Sequence, residues 1–220
     1  MKYPRHRLTV AAALTAAALM TGCQSDDGDS SSGTAPLSLS GLTETADGIP
    51  DDGTSTCPLP YDMAKAAKVA SLDAEAGPGP VQDGDAPVAT AEGGKRAKPG
   101  EPLAENPGAL VSCTFHIGQE SVQVHTLATR EPSGIAPLAP VVSSLAAVTA
   151  DDLTSYVDKV GKAEAGEVVI TDSGNVAAVR LKLDGDGDAS LLVGAGEAGT
   201  ASLNRKQVGD LTKALADQVQ

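Results

Sequence analysis

Apolar residues recur along the 220-residue chain with two different periods. Over Leu110–Ile117 and Ser121–Ala128 they alternate. Val111, Cys113, Phe115 and Ile117 fall on one side of an extended chain, and Val122 and Val124 fall on the same side after Gly118-Gln119. Strict alternation marks a half-buried strand, and Gly at the first position of a two-residue link suits a type II′ hairpin. The implied register pairs Phe115 with Val122 and Cys113 with Val124. Val168–Thr171, Val176–Leu183 and Ala189–Val193 read as three more strands. They are joined by Asp172-Ser173-Gly174-Asn175 and by the acidic loop Asp184–Asp188.

Three stretches carry the helical period instead. Pro60–Leu72 has a stripe of Met63, Ala66, Ala67 and Ala70; Pro58 and Pro60 fit its first turn, and the Gly-Pro run after Ala76 stops it. A second helix starts at Thr149, with Asp152 as its capping partner, and spaces Leu153, Tyr156, Val157 and Val160 along one face until Gly161. The last starts at Asn204, where Gln207 completes a capping box and Leu203 and Val208 are placed to staple the entry. The order is αββαβββα. It predicts an α+β fold, an antiparallel sheet of about five strands with helices mostly on one face.

The N-terminal segment follows neither rule. Lys2, Arg5 and Arg7 precede an apolar run from Leu8 to Met20, too short to span a hydrocarbon core of about 30 Å and suited to a signal-peptide core. It ends in Met20-Thr21-Gly22-Cys23. This resembles the lipobox of bacterial lipoproteins, with Met20 where Leu is usual. The resemblance implies that type II signal peptidase cuts between Gly22 and Cys23. It also implies that Cys23 carries diacylglycerol with fatty chains such as palmitate. Residues 1–22 are then the signal peptide. Two or three acyl chains hold a protein stably where one does not. The membrane, reached through Cys23, is therefore an expected partner, with the protein on its extracytoplasmic face. A domain order of this kind behind a lipobox is similar to small exported lipoproteins of high-GC Gram-positive bacteria. Some of these have Mog1/PsbP-like α+β domains of unknown function. That likeness rests on element order and implies no functional residue beyond Cys23.

Residues 23–56 read as the lipidated Cys followed by a disordered tether. From Gln24 to Thr56, 23 of 33 residues are Ser, Thr, Gly or Asp, with seven acids and no base. Such a composition buries too little to order itself, and a flexible chain of that length spans roughly 30 Å. The folded domain is expected over 57–220. Within it, 76–108 is again low in complexity, with 13 Gly or Pro, and holds the basic cluster Lys95-Arg96-Ala97-Lys98.

Composition narrows the chemistry. A net charge of −13 removes the basic footprint that a nucleic-acid binder needs, and 2% aromatic residues leave little for stacking on bases or sugars. With Cys23 lipidated, Cys57 and Cys113 remain. Outside the cytoplasm they are expected to form a disulfide; a zinc site or a catalytic thiol would need companion ligands that the sequence does not place nearby. Asp184-Gly185-Asp186-Gly187-Asp188 resembles the opening of an EF-hand loop. Ala189 and Ala195, however, stand where Gly and the bidentate Glu belong, so a plain hairpin loop is expected. The hairpin register puts His116 opposite Ser121 and His125 opposite Ser112, both on the outer face and about 13 Å apart, too far to share a metal. Each reads as a half-exposed strand residue. Asp151-Asp152 fits a helix N-terminus. No nucleophile elbow, Walker loop, Rossmann glycine pattern or paired zinc ligands is present.

These observations point to a non-enzymatic, membrane-anchored lipoprotein with no cofactor and no metal. It would present one α+β domain to a protein or cell-envelope partner. A small-ligand or metal-binding accessory for uptake would need a concave apolar cavity, and a hydrolase would need a Ser or an acid against His116 or His125.

Overall fold

The computed structural model describes residues 36–50, 53–79, 89–90 and 96–220. The signal segment, Gly22, Cys23 and Lys95 lie outside the described residues. The strands are β1 (Ala76–Pro78), β2 (Ala89–Thr90), β3 (Gly108–Ile117), β4 (Glu120–Thr129), β5 (Val168–Ile170), β6 (Val176–Leu181) and β7 (Asp188–Ala195). The helices are α1 (Leu39–Asp47), α2 (Met63–Val69), α3 (Pro102–Glu105), α4 (Ala139–Ala146), α5 (Ala150–Lys162) and α6 (Arg205–Ala216). None of them is long and apolar enough to cross a membrane.

The fold is α+β, and every ladder in the sheet is antiparallel. Six strands run in the order β1-β3-β4-β7-β6-β5, with the two-residue β2 also on β3. The five expected strands are present, and Phe115 pairs with Val122 and Cys113 with Val124. Gly118 turns the β3–β4 hairpin at φ +60°, the conformation a type II′ turn asks of its first residue. After β4 the chain crosses through α4 and α5 to the far edge. It returns as β5 and β6, and β7 closes against β4.

The sheet is covered on both faces, which corrects the expectation of helices mostly on one. α1, α2 and α6 pack on the face of Val111, Cys113, Phe115, Val124, Val179 and Leu191. α4 and α5 cover Leu127, Val176, Ala178 and Leu192 on the other. All eight residues of β7 are buried, so its run of small and branched apolar residues serves two cores at once.

Two stretches read as unstructured belong to the fold. Residues 36–50 are no tether. Ser38 caps α1 by accepting a hydrogen bond from Gly41 N at 3.0 Å, and Leu42, Ala46 and Ile49 are at most 3% exposed. The domain therefore begins by Pro36 and not at Cys57. In the low-complexity stretch 76–108, β1 and β2 line the outer edge of β3, and α3 follows. An edge strand needs few hydrogen bonds and tolerates Pro. Gly79 and Gly108 also let the backbones close: a Cβ on Gly108 would stand 2.3 Å from Ala128 O.

Candidate functional site

Cys57 and Cys113 form a disulfide with Cα atoms 5.4 Å apart. It ties the segment ahead of α2 to the middle of β3. Tyr61 packs beside it, edge-on to Phe115 with ring centres 6.5 Å apart, and its hydroxyl meets Thr126 Oγ1 at 2.6 Å. Burial holds that phenol protonated, well above its ordinary range. Tyr156 is placed similarly on the opposite layer, donating to Val169 O at 3.1 Å, with burial raising its pKa. These aromatic side chains are packing groups with satisfied hydroxyls.

The hairpin places His116 against Ser121 and His125 against Ser112, as the register requires. His116 is half-buried, and its Nδ1 lies 2.8 Å from Pro78 O. His125 differs from the expected half-exposed residue. It is 8% exposed, because its neighbours on that face, Leu127 and Leu192, are core. Its Nδ1 contacts Ser112 Oγ at 2.8 Å, while Nε2 is buried without a hydrogen-bond partner. Burial lowers its pKa from 6.5 to about 4. A Ser–His contact is thus present, but the imidazole is a weak base far from neutrality. Among the described residues no carboxylate orients its second nitrogen, as a triad would require.

Asp188, at the end of the acidic loop, is spent on structure. Asp188 Oδ1 receives Arg180 Nε and Nη2 at 3.2 and 2.9 Å. Oδ2 accepts from Gly134 N at 2.7 Å and Ser133 N at 3.3 Å. Gly187, at φ +121°, passes so close to Thr129 O that a Cβ would meet it at 2.4 Å. Asp184 N donates to Leu37 O at 2.8 Å, docking the entry to α1. Among the described residues no group of three metal-ligating side chains occurs. An open cleft of about 310 Å³ beside this network includes Arg180, Asp188, Asp158 and Lys162. Its charges are already engaged: Arg180 with Asp188, and Lys162 with Asp158 at 3.8 Å.

One cleft is different in kind. The N-terminal end of α1, the Leu59–Pro60 turn and Val219 enclose about 200 Å³ that is open to solvent. Pro36, Leu37, Leu42, Leu59, Pro60 and Val219 supply an apolar lining, and among the described residues no charged side chain lines it. The hydroxyls there are occupied, Ser38 as the helix cap and Thr45 donating to Gly41 O at 2.9 Å. An absence of free polar groups suits an apolar ligand surface. The sequence reading missed this cleft because it assigned α1 to the tether. The available signal was the spacing of Leu39, Leu42, Ala46 and Ile49 behind the capping Ser38.

Comparison with protein-family models, with curated proteins and with solved structures finds no match in any of the three.

Proposed function

We propose that the protein is a non-enzymatic lipoprotein, anchored through lipidated Cys23 to the extracytoplasmic face of the cell membrane. Its α+β domain would bind a protein or cell-envelope partner. The observation that carries this reading is the apolar cleft at the point where the chain enters the domain. Only residues 24–35 separate Cys23 from the cleft residue Pro36. The Cys57–Cys113 bond supports the same reading, since disulfides persist in oxidising compartments. The aliphatic lining, about 200 Å³ in volume, is smaller than the ~300 Å³ at which small-molecule pockets begin. That favours a protruding side chain of a macromolecule over a whole metabolite.

The test is cell fractionation of the wild-type chain and Cys23→Ala. The expected result is wild type in the membrane fraction and Cys23→Ala released from it with its disulfide intact. Retention of Cys23→Ala in the membrane would remove the anchor from the account.

A further inference from the structure

Taken alone, α1 is a weak helix. Its 9 residues include Gly41, Thr43 and Thr45, all poor helix formers, and an isolated helix needs about 12–15 residues in water. Both threonine hydroxyls bond back one turn, to Leu39 O at 2.7 Å and Gly41 O at 2.9 Å, a pattern that slightly destabilises a helix. Its first turn holds no acid and its last turn no base. Glu44 and Asp47 lie instead toward the C-terminal end, where negative charge is unfavourable. Docking on the sheet therefore keeps this segment helical.

That docking is thin. α1 lies over β2, β3 and β4 and buries Leu42 and Ala46, where α6 buries six residues. Near its two ends, Leu37 O accepts from Asp184 N at 2.8 Å and Ile49 O accepts from Arg96 Nη2 at 3.3 Å. Among the described residues, no side chain of Leu39–Asp47 makes a hydrogen bond or ion pair to another element. The apolar cleft of about 200 Å³ opens along this seam, with Leu37, Gly41 and Thr45 on one wall and Leu59, Pro60 and Val219 on the other. Protein interiors leave few gaps of that size, and side chains facing one forfeit the dispersion contacts of a closed seam.

The ties change abruptly at one residue. Among the described residues, 53–56 make no hydrogen bond to another element. Cys57 is then bonded to Cys113 in β3. Tyr61 meets Thr126 Oγ1 at 2.6 Å, and the Asp62 backbone exchanges two hydrogen bonds with the Gln218 side chain, at 2.6 and 3.0 Å. We infer that residues 36–56 are a detachable strap. They leave the sheet as one unit while the rest of the domain stays folded, and the Cys57–Cys113 bond is the stop. Units of this kind open at free energies below that of global unfolding. Opening uncovers part of the apolar face of β3 and β4 and releases roughly 70 Å of extended chain. One wall of the cleft departs with the strap, so occupancy of the cleft and docking of α1 are linked. That link, and the addition of the released length between Cys23 and the domain, rest on the reading above; the opening itself does not.

The experiment is hydrogen–deuterium exchange read by mass spectrometry, on the full lipidated chain in phosphatidylcholine nanodiscs and on Cys23→Ala. The amides from Leu42 to Gly48 should exchange together, about hundredfold or more faster than those of β4 and β7. The amides of α2, beyond the stop, should stay protected. Val142→Ala, in α4 on the opposite face, should speed exchange in β4 and β7 about tenfold and leave α1 unchanged. Circular dichroism checks that Val142→Ala folds. If it does not, dilute urea decides on the wild type, because a small unit responds less steeply than global unfolding. The inference is overturned if α1 exchanges as slowly as β4 and β7, or if Val142→Ala or urea speeds α1 and the sheet alike. Exchange of α1 and α2 as one block would overturn the stop. Cys23→Ala should show the same pattern, so failure of the anchor appears in fractionation and failure of the strap in exchange.

Discussion

Among the described residues, His125 is the one side chain whose titration the fold shifts toward acid: neutral inside the sheet, its pKa lies at about 4 against 6.5 when unfolded. The unfolded chain takes up the proton first as pH falls. The associated stability is therefore complete above pH 6.5, falls through the window from 6.5 to about 4, and is level below it. The shift corresponds to about 3 kcal/mol. Urea midpoints measured across that window should fall more steeply for wild type than for His125→Asn; parallel profiles would contradict the buried neutral imidazole. The position of this residue was legible in the sequence, because a period of two fixes which side of β4 it occupies and which residue of β3 it faces. Its burial was not. It depends on Leu127 and Leu192 being covered by a second helical layer, which the hairpin alone does not reveal. The disulfide was legible because, with Cys23 read as lipidated, only Cys57 and Cys113 are left to pair. Bridging residues 56 apart restricts the unfolded chain by about 4 kcal/mol in the chain-entropy account.

Among the elements, α5 and α6 announced themselves through caps: Thr149 accepts from Asp152 N, and Asn204 and Gln207 form a reciprocal box. α1 has a cap too, but its Ser, Thr, Gly and Asp content makes it resemble the linker before it. Composition averages over a window, whereas burial depends on four spaced positions. The packing gives a direct check. Leu42 is 1% exposed, and a fully buried Leu→Ala change costs about 2–5 kcal/mol. Leu42→Ala should therefore lower the urea unfolding free energy by that amount. An unchanged free energy would return residues 36–50 to the tether. The edge strands β1 and β2 were hidden for a different reason. They are held by backbone pairing to β3, which needs neither alternation nor a side-chain signal. The second layer of helices was foreshadowed by β7, whose run of buried residues from Asp188 to Ala195 does not alternate.

For the molecule as a whole, placing α1 in the domain leaves residues 24–35 between Cys23 and the first described residue, Pro36. On the proposed reading, the domain stands on the extracytoplasmic face of the membrane. The net charge of −13 for the full chain, made more negative when Lys2, Arg5 and Arg7 leave with the signal peptide, then opposes an anionic lipid surface, so anchoring falls to the acyl chains and recognition to the apolar cleft. Everything in this arrangement depends on Cys23 being the lipidated first residue of the mature chain. The direct measurement is the intact mass of the N-terminal proteolytic fragment of membrane-extracted protein from its host. The account predicts a fragment that begins at Cys23 and carries a diacylglyceryl group. A fragment beginning elsewhere, or with an unmodified Cys23, would contradict it.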